Sequence, residues 1–265
     1  MIEASGLSVA IGVKPIVSEV SLKARAGEVT VIIGPNGSGK TTLMRALSGE
    51  IPYAGSIRMN GNEIAGTKLG QLSAMRAVLP QATSLAFPFT VREIVRLGIL
   101  DGRPGGAAQS ERLPELALER VDLAGYAGRF YQELSGGEQQ RVQLARVLCQ
   151  VWQPVEEGVP RYLLLDEPVS SLDIRHQLVI MEIAQDFARN GGGVVAILHD
   201  LNLTAMFADH VIVMSGGRLA ASGARAEVLK DDILARVFQC ALKVNALPGG
   251  MVPFVLPQTA CSGAP

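Results

Sequence analysis

The sequence predicts an α/β fold built on a parallel sheet, and three observations carry that expectation. Short apolar runs recur at Val29–Ile33, Tyr162–Leu165, Val194–Leu198 and Val211–Met214, the first of them β-branched and bounded by Gly27 and Gly34. Such runs read as strands buried on both faces. Helical stretches lie between them, at 41–48, 174–189 and 201–208. Strands alternating with helices imply a parallel sheet covered by helices. Polar residues suited to ligands follow several runs, as the strand ends of such a sheet would present them.

The elements follow in order. Ile2–Val9, Val20–Ala24 and Ser56–Met59 are strand-like pieces separated by glycines, which suggests a small antiparallel sheet at the N-terminal end. A helix over Thr41–Ser48 ends at Gly49. Residues 91–128 are helix-like, with Val91, Ile94, Val95 and Leu97 on one face and Leu113–Val121 repeating the pattern. Gly102–Gly106 interrupts them as an exposed loop. Trp152–Pro160, rich in Pro, Gly and Glu, reads as a solvated surface loop.

Length and composition bound the rest. A chain of 265 residues buries one sizeable core, with room for a subdomain. Charge is balanced, with 24 Lys+Arg against 25 Asp+Glu, so nothing points to a nucleic-acid partner. The three cysteines, Cys149, Cys240 and Cys261, lie far apart, which argues against zinc and disulfides and fits a reducing cytosol. The start lacks a basic region followed by an apolar stretch, so no signal peptide is expected. No uninterrupted apolar run reaches the roughly 18–20 residues of a spanning helix, and a soluble chain is expected.

Motifs then supply chemistry. Gly34, Pro35, Asn36, Gly37, Ser38, Gly39, Lys40, Thr41 and Thr42 form a glycine-rich loop between a strand and a helix, the context of a phosphate loop. Its glycines let successive N–H groups converge on phosphate oxygens, and the helix N-terminus adds partial positive charge. Lys40 would reach the β- and γ-phosphates of ATP, and the Thr41 hydroxyl would bind Mg2+. A nicotinamide cofactor fails on spacing, because no Gly-x-Gly-x-x-Gly opens this helix. Asp166 ends a buried strand, where it can hold the metal, and Glu167 is the natural general base for an attacking water. Ser135, Gly136 and Gly137 open a second helix with its own anion-binding N-terminus. One nucleotide does not need two such loops from one chain, so this one is expected to serve a partner's ATP.

With Leu134–Arg141 and Leu163–Pro168 in view, the chain resembles the nucleotide-binding subunit of an ABC (ATP-binding cassette) transporter over residues 1–240. The resemblance implies a P-loop NTPase (RecA-like) core with a small antiparallel β subdomain and an inserted α-helical subdomain. A single domain, 1–265, would then hold a helical subdomain at 82–146 and a nucleotide-binding core at 1–81 and 147–265. Gln81 falls at the Q-loop glutamine that contacts magnesium, Ser170–Asp173 at the interface-crossing D-loop, and His199 at the histidine that senses the γ-phosphate. His176 and His210 carry no such placement and read as surface or packing residues. The family stacks adenine on an aromatic residue where this chain has Ile11 or a neighbour, so aliphatic contact with the base is implied.

Phe87–Glu93 is similar to importers of iron chelates, heme and cobalamin, and the Trp152–Pro160 insertion is similar to hemin-import ATPases. The implied protein is an ATPase of a bacterial heme importer, peripheral at the cytoplasmic face of the inner membrane. It would work as a homodimer under a permease dimer, served indirectly by a periplasmic heme-binding protein. The alternatives are a ferric-siderophore or cobalamin importer and, from another class, a soluble ABC ATPase acting on nucleic acid or ribosomes. The latter would be expected to carry paired cassettes, long coiled coils or a basic surface.

Overall fold

The computed structural model describes residues 1–81, 87–99, 106–247, 249 and 253–260. In chain order the elements begin with β1 (Ile2–Ile11), β2 (Lys14–Ala24), β3 (Val29–Ile33), α1 (Lys40–Leu47), β4 (Ala54–Met59), β5 (Asn62–Glu63), α2 (Leu69–Met75) and β6 (Arg76–Leu79). The middle of the chain forms α3 (Val91–Arg96), α4 (Gly106–Arg120), α5 (Gly136–Gln150), β7 (Val155–Glu156) and β8 (Val159–Pro160). Then come β9 (Tyr162–Asp166), α6 (Ile174–Arg189), β10 (Gly193–Ile197), α7 (Leu201–Phe207), β11 (His210–Ser215), β12 (Arg218–Ala224), α8 (Arg225–Val228) and α9 (Asp231–Phe238).

The central sheet has the order β12-β11-β3-β10-β9-β6. All its pairings are parallel except β11 with the edge strand β12. Alternation along each strand explains why the runs are apolar throughout. Val29, Val31, Ile33, Leu163, Leu165, Val194 and Ala196 face a core shared with α5 and α6. Ile32, Tyr162, Leu164, Val195 and Ile197 face a second core shared with α1 and the N-terminal sheet. Both faces are buried, as a parallel sheet with two covered sides requires. The N-terminal sheet, β2-β1-β4-β5, is antiparallel as expected. Its second strand starts at Lys14, earlier than the apolar run at Val20 suggests, because it continues the hairpin turned at Gly12, where φ is +61°.

The helical unit is defined by its caps. Thr90 caps α3 and Ser135 caps α5, each in a capping box with a glutamate three residues on, Glu93 and Glu138. Arg92 Nε on α3 donates to Glu115 Oε1 on α4 at 2.6 Å. A Cβ at Gly98 would lie 1.9 Å from the Arg146 carbonyl, so only glycine permits this approach to α5. The loop expected at 102–106 lies outside the described residues up to 105, and α4 begins at Gly106. Cys261 also lies outside them.

The Trp152–Pro160 segment lies at the surface as expected, but it is an ordered hairpin rather than a plain loop. Val155–Glu156 and Val159–Pro160 pair as a short antiparallel hairpin. Glu156 pairs with Arg161, whose side chain is buried, and Asn60 Nδ2 donates to the Pro160 carbonyl at 2.8 Å. Long-range anchoring of this kind leaves no trace in local composition. Among the described residues no helix is long and apolar enough to cross a membrane.

Candidate functional site

Register explains how the candidate residues meet. Leu79 pairs with Leu165, Asp166 with Ile197, and Ile197 with Ile32, so β6, β9, β10 and β3 end along one edge. Gln81, Asp166–Glu167, His199 and the loop from Gly34 follow these ends directly. Residues far apart in sequence are thereby placed side by side.

The Gly34–Lys40 loop is shaped to receive an anion. Gly34, Gly37 and Gly39 have φ of +150°, +76° and +95°. A Cβ at Gly34 would sit 2.1 Å from the Met214 carbonyl oxygen, and one at Gly39 would sit 2.9 Å from that of Ile16, so neither position admits a side chain. Lys40 Nζ is folded into the loop, donating to the carbonyls of Gly34 at 2.9 Å and Pro35 at 3.0 Å. Burial lowers its pKa despite the opposing carboxylates of Glu167 and Asp166. Ser38 Oγ is buried without a hydrogen-bond partner among the described residues, a polar atom that a phosphate oxygen would satisfy.

Asp166 is 4% exposed, and its Oδ1 accepts from Thr41 Oγ1 at 3.4 Å. Burial, reinforced by the neighbouring Glu167, raises its pKa to about 6, against the lowering effects of Thr41 and Lys40. Two hard oxygen donors side by side, one a carboxylate crowded by burial, fit a magnesium ion. Because the folded chain holds this proton more tightly than the unfolded one, stability is fullest below the ordinary carboxylate pKa and is lost as pH rises through about 6. Asp166→Asn is expected to raise the melting temperature of the nucleotide-free protein by about 2–4 °C at about pH 7.5, with the gain fading below about pH 6. Thermal melts at both pH values check it, and identical melting of the two proteins above pH 6 would contradict the buried charge.

Glu167 occupies a turn with φ of +52°, a conformation few non-glycine residues adopt. Its side chain is gripped from two sides. Gln81 Nε2 donates to Oε2 at 3.0 Å, and His199 Nε2 lies 2.6 Å from Oε1. Its carbonyl accepts from Gln140 Nε2 at 3.0 Å and from Ser170 Oγ at 3.2 Å. Gln140 is a residue that the sequence reading passed over. It also accepts from Ser171 Oγ at 2.5 Å, so α5 is tied to the Glu167 turn and to the Ser170–Asp173 segment together.

Ser135 and Gly137 lie at the N-terminus of α5. Ser135 Oγ accepts from the Glu138 N–H at 3.4 Å, and Glu138 Oε2 accepts from the Ser135 N–H at 2.8 Å. A Cβ at Gly137 would meet Leu172 Cδ2 at 3.1 Å, so this loop packs against the Ser170–Asp173 segment. Gly136 has open space around its Cα. Ile11 ends β1 beside the turn at Gly12 and is 60% exposed, free to meet a flat ligand. The glycine loop, Gln81, Asp166, Glu167 and His199 thus form one cluster, and Gly136 of the Ser135 loop lines a small concavity together with Gln81, Gln140 and Ser171.

Comparison with known proteins identifies the family and the fold. The family model described as ABC transporter matches residues 17–170. The hemin import ATP-binding protein of Mesorhizobium japonicum is 63% identical over 261 residues, covering 98% of this chain and 99% of that protein. Its counterpart in Chelativorans sp. is 63% identical over 260 residues, with 98% and 99% covered. Among solved structures, an ATP binding subunit of an ABC transporter matches with a TM-score of 0.75 at 23% identity, covering 91% of this chain and 94% of that one. The dimeric structure of a bacterial ABC transporter cassette matches with a TM-score of 0.74 at 24% identity, covering 85% and 99%. At such identities the solved structures speak for the fold alone. The sequence relatives extend over the whole length, and with the family model they make this chain a member of the ABC transporter family, one of its ATP-hydrolysing cassettes.

Proposed function

We propose that the protein energises the import of heme (hemin) across the bacterial inner membrane as the ATPase subunit of an ABC importer. The observation that carries this reading is the 63% identity, over nearly the full length of both chains, to a hemin import ATP-binding protein. Two copies would sit under a membrane permease dimer at the cytoplasmic face, and a periplasmic heme-binding protein would deliver the cargo. Residues 82–146 would form the helical subdomain facing the permease, with 1–81 and 147–265 as the nucleotide-binding core.

The chemistry follows from the side chains. The N–H groups of the Gly34–Thr42 loop and the Lys40 ammonium would bind the β- and γ-phosphates of ATP, with Ile11 against the base. Mg2+, held by Thr41, Asp166 and Gln81, would neutralise charge building on the phosphates. Glu167 would take the proton of the attacking water, oriented by Gln81 and His199, which hold its two oxygens at 3.0 and 2.6 Å. Ser135, Gly136 and Gly137 would close on the γ-phosphate bound by the other subunit. The two loops serve different nucleotides in this reading, and two ATP molecules would be sandwiched head-to-tail.

Cargo is tested in the cell, because this subunit would never touch it. Deleting the gene should abolish growth on heme as the only iron source while free iron still supports growth. A plasmid-borne copy should restore growth, and its Glu167→Gln variant should not, since uphill import needs hydrolysis. Loss of ferric-siderophore or cobalamin use with heme use intact would overturn the heme reading and leave the ATPase chemistry standing.

A further inference from the structure

The turn after α4 is built around Asp122, whose φ is +59°. Cations from two helices converge on it. From α5, Arg141 Nη1 donates to the carbonyls of Val121 at 3.0 Å and Asp122 at 2.7 Å. From α6, Arg175 Nη1 lies 2.8 Å from Asp122 Oδ2, and His176 Nε2 lies 3.4 Å from the same oxygen. The other ring nitrogen of His176, Nδ1, is 2.8 Å from Asp173 Oδ1, which also accepts the His176 backbone N–H at 2.9 Å. The imidazole therefore stands between two carboxylates, and its side chain is only 17% exposed.

Those carboxylates belong to different parts of the molecule. Asp173 caps α6 and ends the Ser170–Asp173 segment. Asp122 belongs to the helical unit that carries Ser135. The contact with Asp173 alone would be an ordinary N-cap within one helix turn. The contact with Asp122 spans two units. Beside it, a concavity of about 580 Å³ is lined by Ser135, Gly137, Arg141, Ser171, Asp173 and His176. The Ser135 loop and the Ser170–Asp173 segment thus line one depression, and His176 lines it with them.

We infer that His176 is a positioning residue, fixing through Asp122 the Ser170–Asp173 segment against the Ser135–Gly137 loop, so that both meet the other subunit's nucleotide as one surface. The inference rests on the two-subunit reading above. It predicts a defect in closure and none in the subunit's own phosphate loop, which His176 does not touch.

The test uses the full chain in a Glu167→Gln background, where ATP should hold the closed dimer. His176→Ala is expected to raise the protein concentration for half-dimerisation, read by light scattering, by about tenfold, while ATP affinity of the single subunit stays within about twofold. Asp122→Gly should do the same, because glycine keeps the positive φ and removes the carboxylate. The conservative variants separate positioning from capping. A glutamine amide reaches as far as Nε2 and can keep the bond to Asp122, so His176→Gln should restore dimerisation to within about threefold of the parent. His176→Asn reaches only as far as Nδ1, and should stay as weak as His176→Ala. Equal behaviour of the Gln and Asn variants, unchanged dimerisation, or a parallel loss of ATP affinity would overturn the inference. A parent that dimerises while the His176 variants match it overturns this inference alone. A parent that stays monomeric with ATP at every concentration overturns the shared site, and the inference with it.

Discussion

Glu167→Gln is expected to lower ATP turnover roughly 10²–10⁴-fold, the range for loss of a general base, while ATP binding stays close to the parent's. The carboxylate is held by Gln81 at 3.0 Å and His199 at 2.6 Å, so its oxygens are fixed in direction before any substrate arrives. An amide keeps the shape and the φ of +52° but cannot accept a proton. The uncleaved nucleotide should then accumulate in a closed pair of subunits, seen by size-exclusion chromatography with ATP and absent with ADP. Hydrolysis near the parent rate would remove Glu167 from the mechanism. Lys40→Ala should behave oppositely and weaken ATP binding itself. Its ammonium is already turned into the loop by the Gly34 and Pro35 carbonyls, so its removal leaves the cradle without its fixed positive charge.

The parts of this site that were legible in the sequence are those dictated by local chemistry. Val29–Ile33 could be read as a strand because every residue in it is buried, leaving no polar face to blur the pattern. The loop after it was legible because only glycine tolerates its positive φ values and the close carbonyls of Met214 and Ile16. Ser135 was legible as the start of a helix from the two glycines that follow it, while its capping box with Glu138 emerged only in the structure. The short edge strand Arg76–Leu79 was not, since four residues cannot display a period, and neither was the small-residue edge strand Arg218–Ala224. The Val155–Pro160 hairpin was hidden for a related reason. Its order comes from Asn60 and Arg161, which composition within the segment does not register. Gln140 was passed over, and His176 read as a surface or packing residue, because each meets a partner distant in sequence. His176 shows its Asp173 partner three residues away, which reads as a cap, while Asp122 becomes a neighbour only once the helical unit folds onto α6.

Ser135→Arg combined in one dimer with Lys40→Ala gives the second large effect, and it bears on whether two chains build each site. Ser135→Arg alone should leave the subunit folded and able to bind ATP, because the loop at the start of α5 is exposed and contributes nothing to the Gly34–Lys40 cradle. It should still block hydrolysis by placing bulk and charge where the other subunit's γ-phosphate must enter. If each site pairs one chain's phosphate loop with the other chain's Ser135 loop, a mixed dimer concentrates both lesions in one site. Its second site then has an intact Lys40 and an intact Ser135. Mixing two inactive proteins should therefore restore part of the ATPase activity, rising with the mixed fraction and absent from either protein alone. If each chain instead used its own two loops, every site in the mixture would carry a lesion and no ratio would recover activity. Failure to complement has one further cause, an obligatory firing of both sites together, and a crosslink between cysteines placed at the exposed positions 36 and 135 distinguishes the cases. A shared site forms that crosslink between chains in the presence of ATP, and a self-contained site forms it within one chain.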